Sequence, residues 1–229
     1  MAKVPHNKGD AYEAKISDLL KKTGMLPPNV VRAGGGAGPD IQFVHRTRVY
    51  NLEVKKDLKA DYGQKYFRWE RVRGWFWALP DPTTDLYDHL GVLEYLNNKN
   101  LTPIKHRLPD KSISLVEKKQ DQHMFEDRSF VTSASLVSSY YQNKKVYYIQ
   151  IGDGFGFYSL ASDPAGLGVP MFDATLCVRF RAKTINSAPI HNYGFIAVLK
   201  VVTARRGAPK QSSFNIEATD SQPFPAIEP

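Results

Sequence analysis

The sequence predicts a mixed α/β fold, in which a mixed central sheet is flanked by helices and the C-terminal half is β-rich. Helix signals flank a hairpin-like pair of strands in the first third of the chain, and strand signals dominate about 145–205. With 229 residues and 42% apolar content, the chain can bury one sizeable core. We therefore expect one domain over 1–206, with its functional core at about 10–80 and a flexible polar tail at 207–229.

The first predicted element is a helix. Asp10 and Glu13 form a capping-box-like pattern, and apolar residues then recur at helical spacing until Gly24 ends the helix. A Pro- and Gly-rich stretch follows, with a short strand expected at 30–32 and a flexible loop at the glycines of 34–38. This loop leads into the next predicted element, a β-hairpin.

The hairpin is predicted from two short strand-like runs, 41–45 and 49–54. If its turn is centred on Arg46 and Thr47, the numbers of facing residues sum to 93. The facing apolar pairs are then Ile41 with Leu52, and Phe43 with Tyr50. Because the turn lacks the Asn-Gly or Asp-Gly of tight hairpins, a four-residue connection with the same pairing is equally acceptable.

The same register gathers polar side chains on the other face of the hairpin. Asp40 falls opposite Glu53, and strand alternation puts Lys55 on the same side as Glu53. Gln42 and Asn51 lie between them. Since hydrophobic matching alone fixed the register, the meeting of two carboxylates with a lysine is a separate observation.

The later elements are predicted in less detail. A second helix is expected over 61–77, ending before Pro80, and a further helix over 86–96. The run KVYYIQIGDGFGFYSL predicts two strands around an Asp-Gly turn, and the runs LCVRFRAK and YGFIAVLKVVT predict one strand each. Little is assigned in the rest of 81–143.

Two carboxylates and an ammonium suit phosphodiester hydrolysis, because carboxylate oxygens hold Mg²⁺ and the ammonium steadies the nucleophile or the developing charge. Pro39-Asp40, twelve residues and then Glu53-Val54-Lys55 resembles the motif of the PD-(D/E)XK, or restriction-endonuclease-like, nuclease superfamily. The resemblance covers about 10–77. It implies a restriction-endonuclease-like core, a metal site of Asp40 and Glu53 that takes Mg²⁺ or Mn²⁺, and a catalytic role for Lys55. The alternative is a solvated strand face.

Two further site residues rest on the resemblance. Glu13 matches the helix acid that often joins the metal site in this superfamily, although a capping role explains it equally well. Gln64 resembles a glutamine that some branches place beside the metal, but where those branches continue Gln-x-x-x-Tyr this chain has Arg68. The alternative for Gln64 is an exposed helical glutamine.

Basic charge favours a nucleic-acid partner. The net charge is +8 and the pI is about 9.4, and nine of the Lys and Arg residues fall within 46–73. The candidate DNA contacts are Lys56, Lys65, Arg68 and Arg71, the last two on one predicted helical stripe with Gln64. Neighbouring aromatic residues could stack on unpaired bases, but we expect Trp69 and Phe76 to pack in the core.

The single Cys177 excludes an internal disulfide, and we expect it to be buried in a strand. No signal peptide or long apolar run is visible, so the expected location is cytoplasmic, in the host cytoplasm if the protein is phage-encoded, without a membrane span.

The resulting hypothesis is a metal-dependent deoxyribonuclease, an endonuclease of restriction-like or structure-specific kind. The alternatives are an exonuclease of the same superfamily and a nucleic-acid-binding protein that kept the fold and lost catalysis. A homodimer would supply the two sites needed to cut both strands of a duplex, although no interface pattern is visible in the sequence.

Overall fold

The computed structural model describes residues 8–26, 39–100, 102–107, 113–125, 130–184, 193–203 and 207–218. The described residues form two sheets and six helices, which confirms the predicted mixed α/β class. They divide into two compact units. Unit 1 is the described part of Met1–Ala60, Ser133–Thr175 and Val201–Pro229, and unit 2 that of Asp61–Thr132 and Leu176–Lys200. The functional core predicted at about 10–80 is therefore divided between the units.

The elements of both units follow one another along the chain. In order they are α1 (Lys8–Lys22), β1 (Ile41–His45), β2 (Arg48–Lys55), β3 (Gly63–Glu70), β4 (Gly74–Trp77), α2 (Pro82–His89), α3 (Val92–Asn98), α4 (Ile104–Arg107), α5 (Leu115–His123), β5 (Phe130–Thr132), α6 (Ala134–Asn143), β6 (Val146–Ile151), β7 (Gly156–Ser159), β8 (Leu176–Thr184) and β9 (Tyr193–Val201). The sheet of unit 1 has the order β1-β2-β6-β7, and that of unit 2 has the order β4-β3-β9-β8-β5.

Helix α1 ends as its sequence predicts. Gly24 adopts a left-handed conformation with φ of 74°, its N–H donates to Lys21 O at 3.1 Å, and the Met25 N–H donates to Leu20 O at 2.9 Å. This pair of bonds is the Schellman motif that satisfies the last carbonyl groups of a helix. The start differs from the prediction, because the helix already includes Lys8 and Asp10 therefore lies inside the first turn.

The hairpin register is confirmed. β1 and β2 are antiparallel, with Ile41 opposite Leu52 and Phe43 opposite Tyr50. The connection is a two-residue turn in which Arg46 and Thr47 have φ of 45° and 68°, so it has the two left-handed residues of a type I′ turn without a glycine. The apolar face of the hairpin joins the core of unit 1, whose other members include Ile16, Leu20, Tyr148 and Phe157.

The helix predicted over 61–77 is wrong, because this segment forms the antiparallel strands β3 and β4 of unit 2. Burial alternates along them: Phe67, Trp75 and Trp77 are buried, whereas Arg68 is exposed. Large aromatic residues favour strands, and pairing with β9 covers the inward row. The helical stripe of basic residues predicted here does not exist.

An aromatic cluster forms the core of unit 2. The Phe67 ring lies 5.2 Å from Trp75, 6.1 Å from Phe125 and 5.7 Å from Phe195, measured between ring centroids. Trp69 and Phe76, which we expected in the core, are only partly buried. Alternation is the reason for Phe76, since it lies between the inward-facing Trp75 and Trp77.

The remaining predictions have mixed outcomes. The helix expected over 86–96 is present as α2 and α3, separated by Gly91, and the four strands predicted in the C-terminal half are present as β6 to β9. Cys177 lies in β8 as expected but is only partly buried. The strand predicted at 30–32 and the glycine loop at 34–38 lie outside the described residues.

The segment 207–218, predicted to belong to a flexible tail, is packed against the rest of unit 1. The Phe157 N–H donates to Phe214 O at 2.7 Å, and the Ile216 N–H donates to the side chain of Gln150 at 3.2 Å. Glu217 accepts hydrogen bonds from Tyr12 and Lys15 of α1. These contacts make the segment part of the fold; residues 219–229 lie outside the described residues.

The helices of the described ranges are short or polar. None of them is both long enough and apolar enough to cross a bilayer.

Candidate active site

The structure brings Asp40, Glu53 and Lys55 together in unit 1. The Lys55 ammonium lies 2.6 Å from Glu53 Oε1 and 3.9 Å from Asp40 Oδ2. Asp40 immediately precedes β1, and the other two residues end β2. The trio predicted from the hairpin register therefore forms one ionic cluster on its polar face.

A backbone hydrogen bond fixes Asp40 in the cluster. The Val54 N–H donates to Asp40 Oδ2 at 2.8 Å, so this side chain connects the residue before β1 to the backbone of β2. The Val54 side chain, 3% exposed, packs in the apolar core on the opposite face. Val54 thus anchors the strand through its side chain and positions Asp40 through its backbone.

Next to the cluster, Gln42 Nε2 donates to Asn51 Oδ1 at 2.8 Å.

The parallel neighbour β6 gives the cluster an apolar border. Glu53 is in register with Ile149 and Lys55 with Ile151, and both isoleucines are fully buried. Glu53 itself is only 4% exposed. Charges beside such an apolar border interact more strongly than charges in water, because less water is present to screen them.

Burial and like charge act together on Asp40. Burial is the larger cause and the Glu53 charge the second, and together they raise the pKa of Asp40 to about 6. The charges of Lys55 and Lys144 and the Val54 N–H oppose this rise. Two carboxylates that share one nearby lysine make a cluster that a further cation would stabilise.

The donor set fits a divalent metal. Glu53 Oε2 is buried and has no hydrogen-bond partner among the described residues, so one carboxylate oxygen is desolvated and uncompensated. Carboxylate oxygens are the ligands that Mg²⁺ and Mn²⁺ prefer. Asp40 and Glu53 would hold such an ion.

Glu13 is not gathered with the other two carboxylates. Within the described ranges there is no group of three or more His, Cys, Asp and Glu side chains that could hold a metal ion. Helix α1 packs through Ile16 and Leu20 on the apolar core, whereas the trio lies on the polar face of the hairpin. This placement explains why the helix acid does not complete a three-carboxylate set here.

The other predicted residues are distributed over both units. Gln64, Lys65, Arg68 and Arg71 belong to unit 2. Gln64 faces Val198 in the sheet, Lys65 forms an ion pair with Asp81, and Arg68 and Arg71 are exposed. Lys56 in unit 1 is exposed and lies 3.6 Å from Asp57.

Sequence reasoning missed the residues that surround the trio. Ile149 and Ile151 reach Glu53 and Lys55 through a parallel pairing that spans about a hundred residues of chain, and hairpin periodicity carries no information about it. The continuous apolar run of β6 is typical of a strand that is covered on both faces. From this run the burial of the two isoleucines could have been predicted. No pattern in the sequence predicted that the charge of Lys144, just before β6, would act on Asp40.

Comparison of the chain with models of protein families, with curated proteins and with solved structures found no match.

Proposed function

We propose that this protein is a divalent-metal-dependent deoxyribonuclease whose active site is formed by Asp40, Glu53 and Lys55. One observation carries the proposal: two carboxylates and an ammonium meet on one strand face, and one buried carboxylate oxygen lacks a hydrogen-bond partner among the described residues. A purely structural ion pair would not need the second carboxylate. Carboxylates brought together at a cost in electrostatic energy are typical of catalytic and metal sites.

The proposal includes a restriction-endonuclease-like core. The order of α1, the β1–β2 hairpin and the parallel strand β6 in one mixed sheet supports it. The helix that the resemblance implies directly after the hairpin is replaced by the strands of unit 2. The core proposed here is therefore limited to unit 1.

Hydrolysis requires a water oxygen to attack phosphorus and to lose a proton to the solvent. The P–O ester bond then breaks, and the leaving alkoxide takes a proton from the solvent. A divalent metal, when bound, would supply a Lewis acid that polarises the phosphate and lowers the pKa of water. Asp40 and Glu53 would hold it as carboxylates, and Lys55 would stabilise the negative charge that develops during attack. Ile149 and Ile151 would keep bulk water from the buried side of the cluster.

The decisive test is a cleavage panel with Mg²⁺ or Mn²⁺ on single-stranded, duplex, flapped and four-way-junction DNA, in linear and circular forms. We propose an endonuclease, so circular substrates should be cut. Asp40→Ala and Lys55→Ala should each lower the cleavage rate at least about 100-fold with folding preserved. Asp18→Ala and Lys59→Ala remove the same charges from exposed positions and should cleave like the wild type.

Full metal-dependent cleavage by Asp40→Ala would disprove the assignment. Cleavage of linear DNA alone would identify an exonuclease. Binding of DNA without cleavage of any substrate, with either metal, would identify a non-catalytic binding protein.

A further inference from the structure

Unit 2 contains a cavity of about 270 Å³ that the proposed nuclease chemistry does not use. It lies where the described pairing of β3 with β9 ends, at Phe67 and Phe195, and residues of α4 line it as well. Its lining combines aromatic rings with cationic side chains: Tyr66, Trp69, Phe195, Arg68, Lys105 and His106. This composition differs from the aromatic core of unit 2, which lies next to it.

The aromatic side of the cavity is accessible. Tyr66 is 37% exposed and Trp69 is partly buried, whereas Trp75 and Trp77 of the neighbouring strand are 3% and 5% exposed. The Trp69 ring lies beside the His106 ring, with the two centroids 5.1 Å apart and an interplanar angle of 44°. A planar ligand would find aromatic faces at this position.

The cationic side consists of Arg68 and Lys105. The Lys105 ammonium lies 5.7 Å from the centre of the Phe195 ring. Burial, and to a lesser extent the charge of Arg68, lowers the pKa of Lys105, although Asp121 opposes this. Arg68 is exposed, and it forms no salt bridge with the described residues of the chain.

Two acidic residues lie near these cations. Asp121 is fully buried and accepts hydrogen bonds from the backbone N–H groups of Ile104 and Lys105 at 2.6 Å and 3.4 Å, so it holds α4 in place. Glu70 is the carboxylate in the lining and is exposed. The side chain of Arg68 is therefore the exposed cation of this cavity, and Lys105 lies beside it in the lining.

We propose that this cavity binds one unpaired base of a single-stranded nucleic acid, stacked on Trp69, with an adjoining phosphate held by Arg68 and Lys105. The proposal deepens the nuclease function and rests on it for the substrate class. Base stacking on aromatic rings beside backbone-binding cations is the usual way in which proteins hold single strands. A cavity near the lower limit of roughly 300–1,000 Å³ for ligand pockets suits one nucleotide. An acidic peptide would use the cations and leave the rings without a role.

The test measures binding to the full-length chain, with Asp40→Asn as the background and a chelator present, so that no strand is cut. Fluorescence anisotropy of labelled oligo(dT) and oligo(rU) gives the affinity, and quenching of tryptophan fluorescence reports on the ring. The chain has three tryptophans, of which Trp69 is the most exposed. Unlabelled duplex DNA, an acidic peptide and inorganic phosphate serve as competitors.

Trp69→Ala should weaken binding about 5- to 150-fold, the change expected for loss of one base–aromatic stack. Trp69→Phe keeps a ring and should retain most of the affinity while the quenching disappears. Arg68→Ala should lower the slope of log affinity against log salt by about one. The control Arg179→Ala removes the same charge from an exposed position of β8 outside the cavity and should leave affinity for oligo(dT) and quenching unchanged.

Wild-type affinity in a Trp69→Ala protein that melts like the wild type would overturn the proposal. Equal competition by the acidic peptide or by phosphate would also overturn it, because the site would then bind polyanions without reading a base. The nuclease proposal is judged separately, by cleavage with the wild-type trio. Binding without cleavage would disprove only the nuclease, and cleavage without Trp69-dependent binding only the cavity.

Discussion

At the scale of single residues, the central feature is that the Lys55 ammonium lies closer to one carboxylate of the trio than to the other. Lys55 lies 2.6 Å from Glu53 but 3.9 Å from Asp40, and Asp40 also accepts the Val54 N–H. Burial next to Glu53 nevertheless raises the pKa of Asp40 to about 6. The charged form of Asp40 is therefore disfavoured in the folded protein and is retained at a cost in stability, as is common at functional sites.

This cost predicts that Asp40→Asn stabilises the metal-free protein at neutral pH. Below the unfolded-state pKa of about 4, variant and wild type should be equally stable, because the carboxyl is protonated in both states. Between about 4 and 6 the advantage of the variant should grow, and above the folded pKa of about 6 it should be constant at about 3 kcal/mol. Thermal unfolding in a chelator across this range measures the difference.

Asp18→Asn is the matched control, since Asp18 is exposed on α1, and it should change stability little at any pH. A Mg²⁺-dependent rise in melting temperature should occur in the wild type and be lost in Asp40→Asn. If Asp40→Asn were less stable than the wild type at neutral pH, the raised pKa would be wrong.

At the scale of elements, the site depends on how the end of β2 is held. The Gly152 N–H donates to Lys55 O at 2.9 Å, which connects the loop after β6 to the last residue of β2. A Cβ atom on Gly152 would overlap Lys56 O and lie 2.8 Å from the Tyr12 ring. The loop, the strand end and α1 meet here so closely that only glycine fits.

We therefore predict that Gly152→Ala destabilises unit 1 by about 1–3 kcal/mol, the usual cost of overpacking, and lowers cleavage further than the stability loss explains. The reason is that the added methyl pushes on the strand end that carries Lys55. Asp153→Gly is the control: it changes the next residue, whose φ is 57°, to one that tolerates this conformation. Denaturant unfolding and initial cleavage rates measure both effects, and wild-type rates in Gly152→Ala would refute the coupling.

At the scale of the whole molecule, unit 1 is assembled from three distant parts of the chain. The fully buried Gln150 connects them: its Nε2 donates to Asn215 Oδ1 at 2.9 Å and to Tyr12 Oη at 3.3 Å, and its Oε1 accepts the Ile216 N–H. One side chain on β6 thus binds both α1 and the C-terminal segment. The sheet that carries the candidate site is therefore held together in part by residues that lie far from the motif in the sequence.

Gln150→Leu should therefore destabilise the protein by about 3 kcal/mol, because several buried polar groups lose their partners at once. Gln142→Leu, at an exposed position of α6, is the control and should be nearly neutral. Urea unfolding measures the difference, and hydrogen exchange should show weaker protection of α1 in Gln150→Leu alone. Equal stability of the two variants would show that the segment 207–218 does not depend on this network.

The elements that were predicted correctly are those whose signals are local. The Schellman end of α1, the hairpin register and the strands β6 to β9 all depend on nearby residues and on periodicity. The segment 61–77 was predicted wrongly because its aromatic and basic residues fit a helical stripe as well as a strand. Its contacts with β9, more than a hundred residues away, decided in favour of the strand.

For the candidate site, the sequence by itself determined that Asp40 and Glu53 face each other with Lys55 beside them, because hydrophobic pairing across a hairpin fixes which side chains share a face. Only the tertiary structure decided what surrounds them. The isoleucines of β6, the Gln150 network and the division of the basic residues between two units all depend on contacts between distant segments. Such contacts leave no periodic pattern in the sequence, so the environment that gives the trio its charge properties could not be read from the motif.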